Sequence, residues 1–300
     1  MGRKKIMFLE TRPQFLLLTP VCVSVGFAAA VYEGYFNGLH LVLALIGALL
    51  AHISVNVLND YFDYKRGTDL LTVKTPFSGG SGFLPKGLVK PEDAFKLGFG
   101  SLIIGLIIGA YFIYNYLVLL PIVALAAFLI YAYTPLLTKV GVTEVFPGLG
   151  FGPLMVIGAY VTQLPVGSFP ISPTVILASI PVGILVSNLL FVNEIPDYDA
   201  DLKTGRRHGV ILLGKKMSSR AYVLFLALAY ASIVIPVILN LLPPYVLLGL
   251  ATIPIAVKAS KGVLKNFDQT DKLVPSLGQN ILVVLATPAL VTIGFLIAAI

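Results

Sequence analysis

The chain has 300 residues, of which 57% are hydrophobic and only 12% charged, and its mean hydropathy is +0.93. A soluble domain of this size does not carry that balance, so lipid is the expected solvent for most of it. The net charge of +7 fits anionic lipid headgroups and the topology of membrane insertion, and calls for no nucleic-acid partner.

In chain order, Met1 to Phe8 holds too short an apolar run for a cleavable signal peptide, so the first span is expected to serve as the insertion signal and remain. A bilayer takes about 20 apolar residues per helix, and single spans are predicted at Phe15 to Val31 and His40 to Leu58. The charge-free stretch from Leu97 to Thr138 is long enough for two spans turning at Asn115. Val145 to Asn193 holds two more, turning within Pro165 to Pro173. Ala221 to Val257 divides at Asn240 to Pro244, and Ile281 to Ile300 is the last span. The predicted fold is all-α, a polytopic membrane protein of nine transmembrane helices forming a single domain over residues 1–300, with cap loops at 59–93 and 193–219.

Lys and Arg are retained on the cytoplasmic side during insertion. Nine alternating spans with the N-terminus inside place all 21 basic residues on that side, in Arg3 to Arg12, Lys65 to Lys96, Lys139, Lys203 to Arg220 and Lys258 to Lys272. The opposite turns keep only Glu33. The expected location is therefore the cell membrane, multi-pass, with the N-terminus and the acidic loops in the cytoplasm. The lone Cys22 excludes an intrachain disulfide and a thiolate metal cluster.

Two loops concentrate the carboxylates. The first run begins at Asn56 and carries Asn59, Asp60, Asp63, Lys65, Arg66, Gly67 and Asp69; on a helix, Asn59 and Asp63 share a face. In the second, Asn193, Asp197 and Asp201 recur at the same four-residue interval, with Glu194, Pro196 and Asp199 between them. Both read as Asn-x-x-x-Asp at the cytoplasmic end of a helix. Like charges stacked near a low-dielectric boundary repel, and a divalent cation relieves them. Oxygen-only ligands favour Mg²⁺ or Mn²⁺ over zinc, and Mg²⁺ draws much of its coordination from water and phosphate. A phosphate-bearing substrate follows from that, against the plainer reading that the acids only balance nearby Lys and Arg.

Cations stand beside both clusters: Lys65 and Arg66 after the first, Lys203, Arg206 and Arg207 after the second, with Arg12 and Lys139 at other cytoplasmic helix ends. Such residues can neutralise a departing diphosphate. The run from Thr75 to Pro85 offers a lid or an anion nest, or simply a connecting loop, and lacks the Walker ending. Tyr61, Tyr64, Tyr131, Tyr133 and Tyr198 lie where an interfacial aromatic belt is expected and can also face a carbocation. His40, His52 and His208 share no metal-ligand spacing and receive no role.

With acidic motifs after the second and sixth of nine spans, the chain resembles the UbiA superfamily of intramembrane prenyltransferases. Its first motif looks like Asn59-x-x-x-Asp63 with Asp60 adjacent, and its second like Asp197-x-x-x-Asp201 preceded by Asn193. The resemblance implies helices around a central chamber, Mg²⁺ held by Asn59, Asp60, Asp63, Asn193, Asp197 and Asp201, and a prenyl diphosphate donor. It casts Asp63, Asp197 and Asp201 as catalytic, and Arg12, Lys65, Arg66, Asp69, Tyr131, Lys139, Tyr198, Lys203 and Arg206 as substrate-binding. Gly67 stands where many members carry a third aspartate, with Asp69 two residues on. The run from Asn59 to Asp69 is most similar to the menaquinone-type branch, which implies prenyl transfer to an aromatic, dihydroxynaphthoate-like acceptor with release of diphosphate. Transfer to a prenylglyceryl phosphate in ether-lipid synthesis is the nearest alternative. An ion-coupled transporter is a further one, but its acids belong near the membrane midplane rather than at helix ends.

Overall fold

Backbone immersed in lipid has to satisfy its own hydrogen bonds. In the computed structural model, which describes residues 2–71, 75–77, 79–168 and 171–300, all regular structure is helical. The elements are α1 (Arg3–Glu10), α2 (Pro13–Leu16), α3 (Leu18–Tyr32), α4 (Gly38–Arg66), α5 (Thr68–Leu71), α6 (Pro91–Asn115), α7 (Leu119–Ala132) and α8 (Val145–Leu149). A π-helical turn, Gly150–Leu154, leads into α9 (Met155–Val161), then α10 (Pro173–Asn193), α11 (Tyr198–Lys203) and α12 (Gly209–Ile238). A 3₁₀ stretch, Pro244–Thr252, precedes α13 (Ile253–Asn266) and α14 (Thr270–Ala298). Lys74 and Ser78 of the first cap loop, and Phe169 and Pro170 of the expected turn at Pro165 to Pro173, lie outside the described residues.

Among the described residues, seven helical segments are long and apolar enough to cross a membrane: Pro13–Tyr32, Gly38–Arg66, Pro91–Asn115, Pro173–Asn193, Gly209–Ile238, Pro244–Asn266 and Thr270–Ala298. At the other two expected positions stand shorter apolar helices, Leu119–Ala132 and Val145–Val161. The second of these is interrupted by the π-turn, where Pro153 removes a backbone donor. α12 bends at Gly214, whose φ of 73° breaks the helical path.

α4 packs on α6 and α7, α3 on α9 and α14, and α10 on α12 and the π-turn. Lipid tails are as apolar as the side chains, so close packing rather than water exclusion holds such helices together, and small residues let their backbones approach. Cys22, Val25, Ala28 and Ala29 of α3 are buried in one cluster with Val156 and Tyr160 of α9 and Phe295 of α14. At Gly26 a Cβ would run into the Val156 carbonyl. Gly26→Val is therefore expected to cost most of the folded, monodisperse protein recovered in detergent, as read by size-exclusion chromatography.

The connections gather at two ends. At one, Arg3 meets Asp93 at 2.9 Å, Arg12 meets Asp60, and the backbone N–H groups of Gly141 and Arg207 donate to the carbonyls of Arg207 and Thr138. At the other, the backbone N–H of Asn37 donates to Gln163 at 2.9 Å, and Glu33 accepts from Tyr160 and Ser172. His40 belongs to this second end, bonding Tyr116, Tyr111 and the Thr162 carbonyl. The carboxylate loops all belong to the first end.

Candidate active site

The first motif is one helix end, as its spacing predicts. Asn59 and Asp63 sit a turn apart on α4, and Asn59 Nδ2 donates to Asp63 Oδ2 and to Thr134 Oγ1, each at 2.9 Å. Gly67 ends α4 in the left-handed region at φ 84°, its N–H bonding back to Tyr64 and Asp63, a cap that glycine adopts without strain. The chain can then turn at once into α5, which brings Asp69 to the cavity and packs against α11.

The second motif differs from its expected form. α10 stops at Asn193, Asp197 stands at the start of α11, and only the Asp197-to-Asp201 step is helical, with the Asp201 N–H on the Asp197 carbonyl at 2.9 Å. Pro196 explains the break, since it has no N–H and restricts the residue before it. Asn193, Asp197 and Asp201 nonetheless all line one cavity with Asn59, Asp63 and Asp69.

Arg206 joins the two motifs. Its guanidinium pairs with Asp63 on α4 and lies 3.4 Å from Asp201 on α11. Burial alone would lower its pKa, but the facing Asp63 and Asp201 carboxylates outweigh that and raise it. Asp69 is pushed up to about 6 by burial, with Asp63 adding to the effect and Arg12 opposing it. Burial also lowers Arg12, which adopts a left-handed φ of 54° immediately before α2.

The remaining candidates separate into groups. Asp60 is 1% exposed, accepts from Arg12 and from the Ser81 N–H at 2.8 Å, and is absent from the cavity lining. In this structure it pairs with Arg12 and holds the Ser81 backbone, one layer behind the residues that line the cavity. Arg66 is tied to the Thr134 carbonyl at 2.7 Å and to Thr138 Oγ1 at 3.0 Å, fixing the segment after α7. Lys65, Lys139 and Lys203 are exposed. Tyr131 packs edge-on with Phe62, and Tyr198 carries the Lys215 ammonium over its ring. None of these last six lines the cavity, whereas Arg12 and Arg206 do.

The cavity, of about 460 Å³, extends from these carboxylates along α4 as far as Ala44, a helical rise of about 28 Å. Ala44, Gly47, Ala48 and Ala51 of α4, Gly105 and Gly109 of α6, and Gly158 of α9 leave its walls thin and apolar. His52 faces it, bonded to Thr19 at 2.8 Å and edge-on to Phe151 of the π-turn at 4.6 Å.

Sequence reasoning missed a second buried group at the same end. His208 lies 3.1 Å from Asp201 through Nε2 and 3.3 Å from Glu194 through Nδ1, and Glu144 accepts the Gly209 N–H at 2.7 Å. Glu194 is raised well above the ordinary carboxylate range by burial and by Glu144 beside it. Tyr133, also on the cavity wall, is raised by burial and by Glu194. No spacing in the sequence joins Glu144, Glu194 and His208, because they come from three separate segments.

Two carboxylate motifs lining one largely apolar cavity, at one end of a bundle with seven membrane-length helices among the described residues, define a multi-pass membrane protein with an acidic mouth to a hydrophobic chamber. The chain belongs to the UbiA prenyltransferase family, which it matches over residues 17–275, and it is a prenyltransferase. It is 29% identical over 266 residues to the 1,4-dihydroxy-2-naphthoate octaprenyltransferase of Bacillus subtilis, covering 87% of this chain and 83% of that one. The fold is similar to that of a UbiA homologue from Aeropyrum pernix K1, with a TM-score of 0.68 at 18% identity over 92% of this chain and 97% of the other. It is also similar to a UbiA homologue from Archaeoglobus fulgidus bound to GPP and Mg²⁺, with a TM-score of 0.51 at 15% identity over 92% and 98% of the two chains.

Proposed function

We propose that this protein transfers an isoprenyl chain from a prenyl diphosphate to a dihydroxynaphthoate-like aromatic acceptor in quinone biosynthesis. The observation that carries this reading is the joining of Asp63 and Asp201 through one guanidinium at the cavity mouth, which puts both motifs within reach of one diphosphate. The resemblance to the Bacillus subtilis enzyme over most of both chains supports the acceptor class.

Mg²⁺ fits the residues present. Asp63 Oδ1, Asp69 Oδ2 and Asn193 Oδ1 are buried without a hydrogen-bond partner among the described residues, and the donor set on the cavity wall is oxygen. Asn59, Asp63, Asp69, Asn193, Asp197 and Asp201 would hold the ion, Asp69 supplying the carboxylate that Gly67 lacks. Bound there, it would neutralise the diphosphate and make it a better leaving group.

The chain's own groups do the rest. Arg12 and Arg206 face the cavity beside the carboxylates and stabilise the charge that builds on the diphosphate as the allylic C–O bond breaks. The electron pair leaves with the diphosphate, the acceptor ring forms the new C–C bond, and the ring carbon then loses its proton. The apolar wall along α4, α6 and α9 holds the prenyl chain and excludes the water that would capture the cation. The distribution of basic residues supports a cell-membrane location with the motif end and the N-terminus cytoplasmic.

Purified protein given Mg²⁺ and a long-chain prenyl diphosphate is expected to prenylate 1,4-dihydroxy-2-naphthoate at least about tenfold faster than a prenylglyceryl phosphate, a margin of about 1.4 kcal/mol in the barrier. Product analysis by mass spectrometry reads it. The reverse preference would overturn the acceptor assignment while leaving the reaction class in place.

A further inference from the structure

We propose that Glu144, Glu194 and His208 form a binding site for one divalent transition-metal ion, separate from the carboxylates that face the diphosphate. One ligand atom from each of the three lies within 4.8 Å of the others, and all three side chains are buried. They converge from the turn before α8, the end of α10 and the residue preceding α12.

The individual atoms point to a ligand. His208 Nδ1 and Glu194 Oε2 are 3.3 Å apart, an ion pair only when His208 is protonated, and neither atom has a hydrogen bond of ordinary geometry among the described residues, while the Glu194 carboxyl lies against that of Glu144. His208 is 2% exposed and Glu194 6% exposed, and polar groups buried to that degree without partners are costly. Two ligands each about 2.1 Å from one ion at a tetrahedral angle are roughly 3.4 Å apart, close to the separation seen. The other ring nitrogen, Nε2, lies 3.1 Å from Asp201 Oδ2. A carboxylate there fixes the tautomer that leaves Nδ1 as a lone-pair donor, an arrangement that recurs behind metal-bound histidines.

The donor set distinguishes this site from its neighbour. One imidazole and two carboxylates suit zinc, cobalt or manganese, whereas Mg²⁺ prefers oxygen alone. Glu194 and His208 also line the cavity, so the ion keeps an open side. Its structural effect is to clamp the Glu144 turn and the 205–209 loop to the end of α10, and that loop carries Arg206.

The full chain in detergent, stripped with chelator and then held in excess Mg²⁺, is titrated with Co²⁺ and followed by visible absorption. The expected result is one tightly bound Co²⁺ per chain with ligand-field bands, displaced by Zn²⁺. It persists in Asp63→Asn, and affinity falls at least about tenfold in His208→Gln and in Glu144→Gln. Failure of the unmutated protein to bind Co²⁺ over Mg²⁺ would overturn the site and leave a pair of carboxyls sharing protons with His208. Bands that survive His208→Gln unchanged would also overturn it. Should His208→Gln not fold, Glu144→Gln and the unmutated titration decide. Neither outcome bears on prenyl transfer, which is read separately by product formation.

Discussion

Replacing Asp63 or Asp197 with Ala is expected to lower Mg²⁺-dependent diphosphate release about 10²- to 10³-fold, with a prenyl donor and an aromatic acceptor both saturating. Removing one preorganised charge from a water-poor site costs about that much in turnover, and each substitution takes a carboxylate from opposite sides of the cavity mouth. At Asp63 the damage compounds. Its Oδ2 receives both Asn59 and Arg206, so alanine also releases a cation proposed to stabilise the leaving diphosphate. The loss should fall on turnover, because the apolar wall that binds the prenyl chain is untouched. Single-turnover assays on protein that elutes as a single species provide the check. Undiminished turnover in both variants would remove the mechanism.

Much of the fold was legible because lipid permits so few solutions. Charge-free stretches longer than a bilayer is thick have to fold as helices and turn back, and Asn115 ends α6 where the turn was expected. The departures have local causes. Leu119–Ala132 is short because Pro135, just past its end at Tyr133, lacks an N–H and restricts Thr134 before it, and the 145–161 segment is divided where Gly150 and Pro153 admit a π-turn. A hydropathy argument weighs apolar content and passes over both breaks.

At the site, Asn59 and Asp63 were readable since they depend only on helical phase within α4. Asn193 and Asp197 obeyed the same spacing and yet do not share a helix, and Pro196 was the signal that should have broken the pattern. Asp60 shows a different limit: an acidic residue one step from Asn59 looks like a ligand until Arg12 claims it from 48 residues away. The Glu144, Glu194 and His208 group left no trace in any spacing rule, because tertiary packing alone brings its three segments together.

Arg206 separates the effect of charge from that of packing. Its side chain is 15% exposed and reaches two buried carboxylates, Asp201 close by in the chain and Asp63 across 143 residues of sequence. Removing one partner of a buried ionic network leaves uncompensated charge and costs about 3–5 kcal/mol. Arg206→Met, which keeps much of the side-chain volume, is therefore expected to lower the melting temperature in EDTA by roughly 10 °C. Adding Mg²⁺ should recover at least half of that fall, because a divalent ion between the same carboxylates supplies the missing countercharge. Arg206→Lys should fall between the two in EDTA, since one ammonium cannot span both carboxylates as a planar guanidinium does. Differential scanning fluorimetry in EDTA and in Mg²⁺ reads all three proteins. A Met variant whose deficit is the same in both would show that Arg206 stabilises the fold by packing, and that Asp63 and Asp201 do not share a cation.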